Sequence, residues 1–283
     1  MEKKFYIVTD SSSDITQKEA KQLGITVLPI SVNWGEEVYQ DGINLSFSEF
    51  YKKLEATEEP AKTSQLTYEA IENAAMAHLG NKDVLFVSIS SGMSATFSVI
   101  EKFKKEVEKD SKNKVYAFDS ETVTLQLGKF VFEAIRLRNE GKTAKETYDE
   151  LERLKPKSTL YANVEDLKYL KRGGRIKPTA AVIGTLLNIK PIITIRDKMV
   201  ENIGKEFGQQ KAFNKIIELG TKEEIDLSKP VYVGHSNNLE LGKKLAAKLK
   251  ERANIENIVI RDIGPTVGTH IGPNCVGLAF FKK

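Results

Sequence analysis

Residues 83–100 read DVLFVSISSGMSATFSVI, and they decide the fold. Val84, Leu85, Phe86, Val87 and Ile89 make a short apolar run that ends among Ser88, Ser90, Ser91, Gly92 and Ser94. Met93, Phe97 and Ile100 then recur at helical spacing. The reading is buried strand, tight turn, helix. Such a turn aims the first unpaired N–H groups of the helix at the carboxyl edge of a sheet, where the helix dipole adds positive potential. Small hydroxyls and a glycine let an anionic group come close. The plainer alternative is that Ser91 or Ser94 merely caps a helix.

The same order recurs on either side. Residues 5–8 form an apolar strand running into TDSSSD at 9–14, and Thr16 with Glu19 is a capping box for the next helix. Residues 26–32 read as a second strand and 37–40 as a third. Ser46 with Glu49 caps another helix, while 57–67, interrupted by Pro60, reads as a loop carrying Thr63 and Ser64. Helices are expected over 68–79, 122–139 and 143–154, and a strand over 114–118 ending in Asp119-Ser120. Strands alternating with helices imply parallel pairing with both faces covered.

The texture changes near Pro156, so the expectation is an α/β protein of two domains. Residues 1–156 form an N-terminal, mainly parallel α/β domain, and 157–283 a C-terminal α/β domain, with the ligand between them. The second part opens with a strand at 159–162 and a short helix at 165–170, followed by the basic glycine loop KRGGRIKP at 171–178. An apolar helix at 180–187 and a hairpin turning at 196–198 come next. Further helices are read at 209–219 and 239–249, and strands at 230–233, 255–261 and 276–281. Residues 264–275 read as a glycine-rich loop.

The bulk properties narrow the function. The 283 residues include 43 basic and 39 acidic side chains, interspersed along helices as solvated faces, and nothing resembles a nucleic-acid module. Cys275 is the only cysteine, which excludes an intrachain disulfide and a cysteine metal cage. Residues 5–8 are too short for a signal-peptide core and 180–187 too short for a membrane helix, so the expectation is a cytoplasmic protein whose membrane contact is peripheral.

Two chemistries fit the remaining residues. A serine-dependent acyl hydrolase would draft Ser94 or Ser91, His270 or His235, and Asp10 or Asp119, but residues 90–96 lack the second glycine of a nucleophile elbow. No glycine-rich turn ends in Gly-Lys-Ser/Thr, since Gly141-Lys142-Thr143 has Arg136 where a P-loop needs its first glycine, and His78, His235 and His270 have no metal-ligand spacing. Thr63, Ser64, Ser91, Ser94 and the His270 imidazole are neutral donors instead. Such a set recognises a carboxylate or phosphate without making or breaking bonds.

Taken together, TDSSSD (9–14), KTSQ (62–65), SISSGMSATF (88–97), AFDS (117–120), GGRI (173–176), IGTLLNIKPI (183–192) and GPTVGTHIGP (264–273) occur in the order seen in DegV-family proteins, and the chain resembles the fatty-acid-binding B subunits of bacterial fatty acid kinase. The resemblance implies a non-catalytic lipid carrier with no cofactor or metal. Its ligand is one long-chain fatty acid such as palmitate, stearate or oleate, with the tail in an apolar tunnel. Thr63, Ser94 and His270 are implied as carboxylate donors, supported by Ser64, Ser91 and Gly92. A separate ATP-using kinase subunit is implied as partner, met by Arg172 and Arg175, together with transient contact with a membrane surface. Two departures stand out: Leu66 follows TSQ where the family commonly has proline, and GKEFGQQKAF at 204–213 holds no arginine.

Overall fold

The computed structural model describes residues 4–109, 111–178 and 188–283. Four parallel strands form the first sheet, in the order Thr26–Leu28, Phe5–Asp10, Asp83–Ser88, Val115–Asp119. Because side chains alternate along a strand, Ile7, Leu85 and Val87 face one way while Val8, Val84 and Phe86 face the other. The second set packs on the helices Tyr68–Leu79 and Thr96–Val107 through Ile71, Ile100 and Phe103. The first set packs on the helix Thr124–Asn139, which is buried on nearly every side. Asp10, Ser88 and Asp119 thus end together at one edge, and Asp10 Oδ2 accepts the Ile89 N–H at 2.9 Å.

A second sheet of six strands follows, in the order Met199–Phe207, Ile189–Arg196, Ser158–Asn163, Val276–Phe281, Val231–His235, Ile258–Asp262. Only its last pair is parallel. Leu160, Ala162, Ile193, Ala279 and Phe281 turn toward the Thr124–Asn139 helix and join the core of the first sheet. Val233, Leu278 and Phe280 turn away, onto the helices Gln209–Thr221 and Leu239–Ala253. The change from one sheet to the next falls between Leu154, which closes the helix Ala144–Leu154, and Ser158.

The structure departs from the sequence reading in three places. The expected strand at 26–32 is broken at Pro29, which has no N–H to give a ladder. Thr26–Leu28 stays in the parallel sheet, while Ser31–Trp34 leaves it to pair with Glu37–Gln40 and with Lys62–Thr63, inside what was read as a loop. The stretch read as a glycine loop holds a helix, Pro265–Ile271. Its glycines are needed for approach: a Cβ at Gly268 would lie 2.6 Å from both the Phe50 ring and the Tyr51 hydroxyl. The apolar helix read at 180–187 lies outside the described residues. Among the described residues no helix is long and apolar enough to cross a membrane.

Candidate functional site

Three segments far apart in sequence line one cavity of about 460 Å³. Thr63 is delivered by its pairing with Val32, Ser94 by the turn after Asp83–Ser88, and His270 by the helix Pro265–Ile271. Thr63 Oγ1 and His270 Nε2 stand 2.8 Å apart. The imidazole is seated against a bare backbone, since a Cβ on Gly173 would lie 2.1 Å from Nδ1. Nδ1 itself is buried without a partner among the described residues. Burial first, then the nearby Arg175 and Arg172 charges, push the His270 pKa down to about 4. The ring is therefore neutral at pH 7 and carries a single N–H.

Ser94 Oγ accepts the backbone N–H of Thr96 at 3.2 Å, and the two hydroxyls lie 3.0 Å apart. Thr96 Oγ1 also accepts the N–H of Leu66 at 3.1 Å. The inner wall is apolar. A narrow cavity of about 40 Å³ shares Val123, Val200, Val267 and Ile271 with the first and continues between Leu160, Ala162, Ile193 and Cys275. Burial pushes the Cys275 thiol up to about 12, so it stays protonated and adds no charge there. The larger cavity carries hydroxyls and an imidazole. The smaller one is lined almost wholly with hydrocarbon.

Ser64 also lines the cavity, its hydroxyl accepting from Asn33 Nδ2 at 2.7 Å. Ser91 and Gly92, also expected on the carboxylate, are not among the residues that line this cavity. Ser91 Oγ donates to Asp119 Oδ2 at 2.6 Å, and Lys198 Nζ meets the same oxygen at 2.9 Å. A Cβ on Gly92 would lie 2.7 Å from the Lys198 carbonyl oxygen. These residues clamp the hairpin turn at Asp197-Lys198, both at positive φ, onto the first sheet.

Arg172 is exposed, over the Tyr169 ring. Arg175 is not: it lines the cavity, donating through Nε to the Met93 carbonyl at 3.0 Å and through its guanidinium to that of Gly173. The reading that gave both arginines to a partner surface separates them here. The donor set is also less neutral than expected, because one wall residue carries a charge.

The hydrolase arrangement is not assembled among the described residues. His270 is joined to Thr63 and Ser94 to Thr96, with no carboxylate on His270 Nδ1. His78 stacks on Tyr6, and His235 lies buried beside Asp262. No cluster of three or more His, Cys, Asp or Glu among the described residues is placed to hold a metal.

Sequence comparison matches the profile of the DegV family of uncharacterised proteins over residues 4–283. The chain belongs to the DegV family. A DegV domain-containing protein of Halalkalibacterium halodurans is 34% identical, over 98% of each chain. Among solved DegV structures, one from Bacillus subtilis, described as a fatty acid binding protein, is 30% identical, covers 100% of both chains and superposes with a TM-score of 0.86. Another from Thermus thermophilus, described for its fatty acid binding, is 27% identical over 99% of this chain and 100% of its own, with a TM-score of 0.88.

Sequence reasoning did not single out Thr96 or Lys198. Thr96 carries a weak signal, a hydroxyl two residues after Ser94 and able to bond back to it. Lys198 carries none, because its partners lie in the other half of the chain.

Proposed function

We propose that this DegV-family protein binds one long-chain fatty acid, tail inward and carboxylate at Thr63, Ser94 and His270. The observation that carries the reading is the pair of adjoining cavities, one lined with hydroxyls and imidazole and the other all but hydrocarbon, that share Val123, Val200, Val267 and Ile271. The family membership and the fatty acids described for the Bacillus and Thermus relatives support it. Burying a methylene contributes roughly 0.8 kcal/mol, so some 14 of them supply about 11 kcal/mol before the costs of binding. The tail gives affinity, and the polar end has only to orient the headgroup.

The protein works as a cytoplasmic, non-catalytic carrier that collects the acid at a membrane surface and presents its carboxylate to a separate ATP-using kinase subunit, which makes the acyl phosphate. Exposed Arg172 is the arginine available to that subunit, while Arg175 holds the cavity wall. Mass spectrometry of lipid extracted from the purified protein tests the binding. A palmitate-, stearate- or oleate-class acid is expected, and a lipid-free protein that takes up no added oleate overturns the reading. Adding a fatty acid kinase subunit and ATP tests the presentation: acyl phosphate should form only with both proteins present.

A further inference from the structure

The two loops that hold Thr63 and Ser94 are joined by one side chain. Thr96 is fully buried, and its Oγ1 sits between the N–H of Leu66, three residues after Thr63, and the hydroxyl of Ser94, while its own N–H goes back to Ser94 Oγ. We infer that Thr96 is a positioning residue for headgroup recognition: it sets the spacing of the two carboxylate-binding loops and frees the Ser94 proton for the ligand. The inference rests on the carboxylate binding proposed above.

The proton count carries the argument. A hydroxyl has one proton and two lone pairs. Across the 3.0 Å contact Ser94 Oγ donates to Thr96 Oγ1, and rotation of the two hydroxyls reverses the bond. With the cavity free of an anion, Ser94 can donate to Thr96. When a carboxylate arrives, Ser94 turns its proton to the stronger, charged acceptor. Thr96 then donates to Ser94 Oγ, whose other lone pair already holds the Thr96 N–H. Ser94 Oγ is left with both lone pairs occupied and a single direction for its proton. Leu66 N–H keeps its acceptor throughout, so the exchange leaves no buried donor unpaired.

The test measures displacement of a fluorescent fatty acid by palmitate and by the matched alcohol hexadecanol, which shares the tail but not the charge. Thr96→Val keeps the shape and removes the hydroxyl. It should weaken palmitate about tenfold and hexadecanol less than about twofold, and Thr96→Ser should restore palmitate. In a Ser94→Ala background Thr96→Val should cost palmitate little more. Equal loss of acid and alcohol, no loss of either, or full additivity with Ser94→Ala overturns the inference. Should Thr96→Val fail to fold, Thr96→Ser and Thr96→Cys decide: palmitate affinity retained in the first and reduced in the second, with hexadecanol unchanged, supports the inference, and identical palmitate affinity in both overturns it. A wild-type protein that binds neither ligand defeats the fatty-acid reading itself, a result none of the variants can mimic.

Discussion

Asp41, from the first half of the chain, accepts both the backbone N–H of Thr266, at 3.0 Å, and the Thr266 hydroxyl, at 2.5 Å, from the second. Asp14 does the same for the neighbouring Gly264 N–H, at 2.8 Å. Two carboxylates of the N-terminal half therefore hold the start of the helix that carries His270. Arg261, which donates to the Asp14 carbonyl oxygen at 3.1 Å, and buried Asp10 complete the charged surroundings.

Burial pushes Asp14 up to about 7 and Asp41 up to about 6. A raised value means the folded state binds the proton more tightly than the unfolded chain does. The stability cost of ionisation is therefore full above the folded pKa and vanishes as pH falls toward the ordinary carboxylate value. Asp14→Asn, which can still accept from Gly264 and donate to Thr124, removes that cost. Relative to wild type the variant should gain stability from pH 5 to pH 8, by on the order of 1 kcal/mol per pH unit through the titration. Because the histidines titrate in both proteins, the comparison cancels them. Urea midpoints at the two pH values check it, and a constant difference refutes it.

Ala162 lines the narrow inner cavity and is 5% exposed. Filling that space with Ala162→Phe should weaken palmitate more than about tenfold, since several methylenes at about 0.8 kcal/mol each lose their place. Octanoate should be nearly unaffected. Competition against a fluorescent fatty acid reads both, and equal losses would put the tail elsewhere.

Gly268→Ala should destabilise the fold by about 1–3 kcal/mol, because the new methyl meets the Phe50 ring and the Tyr51 hydroxyl in a packed interface. Thermal melting measures it. Replacing Tyr51 by Phe in the same chain removes the hydroxyl and should recover part of the loss, although the bond from Tyr51 to the Ile263 carbonyl goes with it.

Lys198→Met removes the cation from Asp119, which is 8% exposed in its side chain while Lys198 is 40% exposed. The exposed partner is screened by solvent, so the pair itself contributes little. The larger effect is that Asp119 loses a donor, and a cost of about 1 kcal/mol is expected. In Asp119→Asn the same lysine change should cost less. A double-mutant cycle in urea tests the coupling, which should shrink in 1 M salt.

Much of this was legible because the local signals agree with the tertiary result. The strand and turn at 83–94, both early capping boxes and the closing strand Val276–Phe281 stand where apolar alternation and cap spacing put them. The helix Pro265–Ile271 was not legible, since its three flanking and internal glycines argue against helix locally. Packing on Phe47, Phe50 and Tyr51 outweighs that propensity, and only glycine fits so close. Within the site, Thr63, Ser94 and His270 could be named from residue type and family blocks. The diversion of Ser91 to Asp119 could not, because its cause, the Lys198 turn, arrives from more than a hundred residues away.

The strand Val276–Phe281 lies in the middle of the six-stranded sheet, between Ser158–Asn163 and Val231–His235, although it is the last of the six to be synthesised. Until it emerges from the ribosome, the two neighbours present unsatisfied edges that no earlier strand can bridge. The nascent second half therefore has to be kept from aggregating until its final ladder is laid, and its folding is governed by contacts distant along the chain.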